Sequence, residues 1–197
     1  MAELVVLRHG ETQWSAQRRH TGRTDVELTA DGEAGAAALR PLLAGHPFGL
    51  VLSSPLLRAS RTAELALGHP VDTDPDLREW DYGAFEGRTA AEIRAQEGAQ
   101  WTVWTASVGP GGLTESLDEV AHRTDRVIRR VLPVLESGQD VLLVAHGHLL
   151  RVLAARWIGA APALGQALVL GATRRGLLGW EHDHRAIVGW NLEPPGG

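Results

Sequence analysis

Lysine and cysteine are both missing from this chain of 197 residues. Without cysteine there is no disulfide, no thiolate zinc or iron–sulfur site and no thiol nucleophile. Without lysine there is no Schiff-base chemistry, no pyridoxal-phosphate anchor and no P-loop, whose turn needs a lysine on the phosphates. All 19 basic side chains are arginine, so an anion held by side-chain cations must be met by Arg or His. A surplus of positive charge is missing too. With 24 Asp plus Glu the net charge is −5, which argues against nucleic acid as a partner. No run approaches the roughly 18 consecutive apolar residues of a membrane span. Met1-Ala2-Glu3 leads straight into Leu4-Val5-Val6-Leu7 without a basic, then apolar, signal segment. The expectation is a soluble, cytoplasmic protein without membrane contact.

What is there has an alternating order. The length fits one domain, residues 1–197, able to bury roughly 70% of its unfolded surface. Leu4 to Leu7, Leu50 to Leu52 and Val141 to Ala145 are short, uninterrupted apolar runs, the pattern of strands buried on both faces. Helices are expected between them over 29–43, 55–67 and 116–136. Pro55 suits a first turn, and Ser116 with Glu119 makes a capping box. Residues 140–157 read as strand, tight Gly147 turn and helix, and 166–192 as terminal, partly antiparallel strands. The fold class is therefore α/β: a three-layer sandwich with a mostly parallel central sheet, helices on both faces and an antiparallel edge strand. Trp101 and Trp104 read as an aromatic cluster covering a loop, and residues 193–197 as a frayed tail.

The chemistry gathers at strand ends. In open α/β sheets ligands collect beyond the carboxyl ends of the strands. The first strand ends in Arg8-His9-Gly10-Glu11-Thr12, the second leads through Ser53-Ser54-Pro55 to Arg58, and the last interior one ends in His146-Gly147-His148. A single strand-end histidine is more often structural than catalytic, and an arginine on a helix's first turn is usually solvated. Their convergence on one sheet edge is what singles them out.

In this order the motifs resemble the histidine phosphatase superfamily, in its phosphoglycerate-mutase-like branch. The matching segments are Arg8 to Thr12; Thr21-Gly22 with Asp25 and Leu28-Thr29; Ser53 to Leu56 with Arg58-Ala59 and Thr62-Ala63; Leu77 to Gly83 with Glu86-Gly87; and Ala145 to His148. The wording of the fourth and fifth is most similar to small bacterial acid phosphatases and sugar-bisphosphatase relatives.

The resemblance implies a phosphomonoesterase with His9 as nucleophile, forming a phosphohistidine. Arg8 and Arg58 would grip the phosphoryl oxygens as planar forks, and His146 would be a further donor, charged by the phosphate beside it. Glu79 would be general acid and then general base, with Asp81 and Glu86 as neighbours able to raise its pKa. Substrate contacts are expected from Glu11, Thr12, Ser15, Thr21, Gly22, Trp80, Asp81, Tyr82, Gly147 and His148, with Gln13 and Trp14 on the same wall. Arg18, Arg19, His20 and Arg23 would form a cationic rim that captures substrate. The partner is a small phosphate ester, no cofactor and no metal are implied, and a homodimer through an edge strand is left open.

Three other readings compete. A cofactor-dependent phosphoglycerate mutase would use the same phosphohistidine, but mutases carry basic residues for a carboxylate in a longer insertion. Here no Arg lies between Arg94 and Arg123, and Ser15 and His148 stand where mutases have Asn. A metallohydrolase could use the spaced pairs His146/His148 or His182/His184, though the second reads as a turn between strands. A degenerate, partner-binding relative would have lost the nucleophile, which is present here.

Overall fold

The computed structural model describes residues 2–193, so Met1 and the tail beyond Glu193 lie outside the described residues. In chain order the elements are β1 (Leu4–Arg8), α1 (Gln13–Ala16), α2 (Ala30–Ala37), α3 (Arg40–Leu43), β2 (Leu50–Ser53), α4 (Leu57–Leu67) and β3 (Asp72–Thr73). The remaining elements are α5 (Ala90–Glu97), α6 (Leu117–Glu136), β4 (Val141–Ala145), α7 (Gly147–Trp157), β5 (Arg175–Glu181) and β6 (His184–Leu192). Short 3-10 helices cover Pro75–Leu77, Gly83–Phe85 and Pro162–Ala167.

The sheet order is β3-β2-β4-β1-β5-β6. The first four strands of that order run parallel, whereas β5 is antiparallel to β1 and β6 to β5. This is the mostly parallel sheet with an antiparallel edge expected from the sequence. Side chains alternate between its faces, as the pleat requires. Val5, Leu7, Leu142 and Val144 pack with Leu39, Leu43, Ala63 and Ala66 from α2 to α4. Leu4, Val6, Leu143 and Ala145 pack on the other side with Val127 and Val131 of α6 and Leu149 and Leu153 of α7. Each such buried Leu or Val contributes about 1.5–3 kcal/mol. The register sets Arg8 beside Ala145 and Ser53 beside Val144. Hence the segments after β1, β2 and β4 leave the sheet at one edge.

Some local expectations change. The helix expected over 29–43 is two helices: Thr29 caps α2 by accepting the Gly32 N–H, and α2 stops at Ala37. Pro41, in the first turn of α3, has no N–H to continue a helix through it. Pro55 lies outside α4, whose cap is Leu56. Gly147 forms no separate turn but is the first residue of α7, capped by His146. Ser116 and Glu119 do form a capping box at α6. The terminal strands begin only at Arg175 and join through a turn at His182-Asp183.

Candidate active site

The segment after β1 turns sharply because two backbones nearly touch. A Cβ on Gly10 would stand 2.5 Å from the Gly32 carbonyl oxygen at the start of α2, so no larger residue fits there. The turn places His9 beside a cleft of about 300 Å³ at the sheet edge. The His9 Nδ1–H donates to the Gly10 carbonyl at 2.7 Å, which fixes the tautomer and leaves Nε2 with its lone pair. Burial, then Arg58, then Arg8 hold the His9 pKa well below the ordinary histidine value, so the ring is neutral near pH 7.

Arg8 reaches the same cleft from the end of β1. One Nη donates to the Leu170 carbonyl at 2.6 Å, while the buried Nε has no partner among the described residues. An unpaired buried N–H is costly, and an anion in the cleft would satisfy it. The guanidinium lies against Gly147, where an added Cβ would stand 3.3 Å from it.

Arg58 lies fully buried beneath the cleft. Its Nη2 donates to the Thr21 and Gly22 carbonyls at 3.0 and 2.8 Å, and Nη1 to Thr24 O at 3.0 Å. Its Nε donates to His146 Nδ1 at 3.1 Å, so His146 carries its proton on Nε2 and gives it to Ser54 Oγ at 2.8 Å. The His146 and His9 rings are 5.1 Å apart. The expectation of a charged His146 facing the substrate meets a different arrangement: both nitrogens are engaged below the cleft wall. Burial, with Arg58 and His9 as further causes, pushes His146 well below its ordinary pKa, because an imidazolium cannot accept from a guanidinium.

Glu79 also lines the cleft. Its Oε1 accepts the N–H groups of Trp80 and Leu149, both at 2.9 Å, and Oε2 accepts that of His148 at 3.0 Å. Two of these donors are free N–H groups of the first turn of α7. Oε1 is thus saturated, and Oε2 keeps one lone pair. The loop is clamped from behind. Arg123 of α6 donates to the Asp76 carbonyl at 2.8 Å, to the Arg78 carbonyl, and to Glu115 through Nε at 2.6 Å and Nη2 at 3.0 Å.

The remaining expected residues divide. Ser15, Thr21, Tyr82, Gly147 and His148 line the cleft beside Arg8, His9 and Glu79. Glu11 is turned to the cap of α2, accepting from Thr29 Oγ1 at 3.0 Å, and Thr12 caps α1. Gly22 serves through its carbonyl, on Arg58. The Trp80 ring is fully buried and its Nε1 donates to the Glu115 carbonyl at 2.7 Å, so it packs behind the wall instead of forming it. Asp81 accepts from the Gly83 N–H at 3.1 Å and faces Arg23, and Glu86 accepts the Arg23 N–H at 2.8 Å. Gln13 and Trp14 are not on the wall. Of the basic rim, Arg18, Arg19 and His20 line the cleft, but Arg23 pairs with Asp81 and Glu115.

Sequence reasoning missed Arg151 and Leu170, which also line the cleft, and the clamp of Arg123 and Glu115. Mid-helix arginines look like solvated surface, so nothing local marked them. Trp101 and Trp104 pack on Phe85 and Trp80, and also reach the cleft histidines: Trp101 lies 5.5 Å from His20 and Trp104 5.4 Å from His148. His146 and His148 diverge, the second meeting Tyr82. Among the described residues no three His, Asp or Glu side chains converge as metal ligands would. Among them too, no helix is long and apolar enough to cross a membrane.

Comparison with known proteins gives a consistent result. The family model described as the histidine phosphatase superfamily (branch 1) matches residues 4–193. An acid phosphatase of Mycobacterium tuberculosis is 38% identical over 195 residues, covering 97% of this chain and 94% of the relative. A 2,3-bisphosphoglycerate-dependent phosphoglycerate mutase of Gloeobacter violaceus is 38% identical over 164 residues, covering 78% of this chain and 74% of the mutase. Among solved structures, an open-reading-frame product of M. tuberculosis superimposes with a TM-score of 0.88 at 38% identity, over 98% of both chains.

Proposed function

Because the chain belongs to branch 1 of the histidine phosphatase superfamily, we propose that it is a phosphomonoesterase working through a phosphohistidine on His9. The observation that carries this reading is the hydrogen bond from His9 Nδ1 to Gly10 O at 2.7 Å, which leaves Nε2 on an arginine-lined cleft. A neutral imidazole held in one tautomer is a competent nucleophile near pH 7.

Phosphoryl transfer asks the protein mainly for in-line positioning and for balance of charge on the equatorial oxygens. His9 Nε2 attacks phosphorus as the ester oxygen departs. Arg8 stabilises the transferring group through its Nη groups and its unpaired Nε–H. Arg58 acts from below, with one N–H of Nη1 left after its bonds to the backbone and to His146. His146 positions Arg58 and, through it, the charge around His9. Glu79 protonates the leaving oxygen from Oε2, the oxygen with a lone pair to carry the proton. The same atom then takes a proton from the water that attacks the phosphohistidine, releasing inorganic phosphate. The scheme uses no metal and no cofactor.

Hydrolysis is preferred to mutase transfer because the cleft opens to solvent, which lets water reach the phosphohistidine. The relative covered over nearly its full length is a phosphatase, whereas the mutase match leaves about a quarter of that relative's length uncovered. The test is His9→Ala. Turnover of any phosphomonoester should vanish while circular dichroism and the unfolding midpoint stay near those of the parent. Retained turnover would refute the nucleophile.

A further inference from the structure

The phosphoryl end of a substrate does not use all the donors around this cleft. Two more stand on α7, at His148 and Arg151, three residues apart and so on one helix face. Tyr82 is buried and its hydroxyl lies 2.5 Å from His148 Nδ1, its one hydrogen-bonding partner among the described residues. The hydroxyl must therefore donate, since a buried O–H without an acceptor is costly. That leaves the proton of His148 on Nε2, which has no partner among the described residues and is not sealed from solvent.

Arg151 is held just as firmly. Its Nε donates to Gly165 O at 2.8 Å and Nη2 to Gln166 O at 2.7 Å, so Nη1 is the nitrogen left for a ligand. The guanidinium lies 5.0 Å over the Trp104 ring, which also stands 5.4 Å from His148. One indole thus orients both donors. Arg151 is half-buried and forms no ion pair among the described residues. Among the described residues, the carboxylate on the cleft wall is that of Glu79, already bonded to three N–H groups.

We propose that His148 and Arg151, set by Tyr82 and Trp104, form a second-anion subsite that receives a carboxylate or a second phosphate on the alcohol portion of the substrate. This rests on the phosphomonoesterase reading and narrows its substrate class to esters with two anionic groups. The subsite's cation, Arg151, comes from α7, and His148 adds a neutral N–H donor, so the lack of arginine between Arg94 and Arg123 does not leave this part of the cleft without positive charge. A cation desolvated by its surroundings gains more from an anion than one in open water, which makes Arg151 the stronger contributor.

The test is calorimetric binding to the His9→Ala protein, which does not depend on turnover. One arm compares 3-phosphoglycerate with glycerol 1-phosphate, which differ in a carboxylate. The other compares 1,3-propanediol bisphosphate with its monophosphate. At least tenfold tighter binding of the doubly anionic ester is expected in one arm, and the arm identifies the anion. Arg151→Gln should cut that ratio by tenfold or more and His148→Leu by severalfold. Arg151→Lys should keep part of it. Because His148→Leu leaves the Gly165 and Gln166 carbonyls bonded, it serves if Arg151→Gln does not fold. A ratio near one in both arms, a ratio unmoved by these variants, or no measurable binding of any ester would overturn the subsite. Failure of the His9 mechanism shows separately, as hydrolysis surviving His9→Ala.

Discussion

Arg58 donates its Nε–H to His146 Nδ1 at 3.1 Å, and with the His146 Nε2–H donated to Ser54 Oγ at 2.8 Å this bond joins the segments beyond β2 and β4 beneath the nucleophile. Burial, with Arg58 as the next cause, keeps His146 neutral, and the three backbone carbonyls on the other side of the guanidinium hold residues 21–24 at the cleft. A lysine has neither the fork nor the reach to replace it. Arg58→Lys should lower kcat by about 10²–10³-fold, the usual cost of a lost charge-stabilising donor. The orphaned carbonyls should also cost about 2–3 kcal/mol in urea unfolding. A variant with parental kcat and stability would show that Arg58 is neither donor nor brace.

The histidines make stability depend on pH in a definite direction. His9, His146 and His148 all have folded pKa values well below the ordinary 6.5, with burial as the first cause of each. Below pH 6.5 the unfolded chain binds protons that the folded one refuses, so unfolding free energy falls as pH drops from there toward the folded values. Above it the contribution is complete. The slope should reach up to about 1.4 kcal/mol per pH unit for each histidine. Urea titrations between pH 7.5 and 4.5 check this, and a flat profile would contradict it.

The same shift predicts activity in mild acid. His9 must be neutral to attack, and its lowered pKa keeps it so below pH 6.5. Arg8 is one of the causes, so Arg8→Gln should move the acid limb of kcat/KM to higher pH as well as lowering the maximum. An acid limb that stays in place would remove Arg8 from the field on His9.

Glu79→Gln should slow alkyl phosphates by about 10²–10⁴-fold, the usual worth of a positioned acid. Activated aryl phosphates, whose leaving groups need no proton, should suffer far less. Equal slowing of both would make Glu79 a positioning group, which its three N–H partners also permit.

Much of this arrangement was legible in the sequence because strand ends are short and ordered. Leu4 to Leu7 and Val141 to Ala145 read as interior strands, and parallel neighbours send the segments leaving them to one edge. Side-chain direction was not legible. Trp80 and Tyr82 are two residues apart, yet one ring packs behind the wall while the other's hydroxyl meets His148. His146 read as a donor to substrate, but its direction is set by Arg58 and Ser54, which are about 90 residues away in the chain. Arg123 and Arg151 sit inside helices α6 and α7 and carry no local mark. Their tasks appear only when α6 and α7 are set against the loops they hold.

The central claim is a covalent one, and the most direct measurement is to trap the intermediate. The enzyme should be mixed with an activated phosphomonoester, quenched in alkali within milliseconds, digested, and read by mass spectrometry. The account predicts a single acid-labile, alkali-stable phosphoryl group on the peptide carrying His9, bonded through Nε2 and absent from His9→Ala. Full turnover with no phosphoryl group on His9 at any quench time, or a label on another residue, would contradict it.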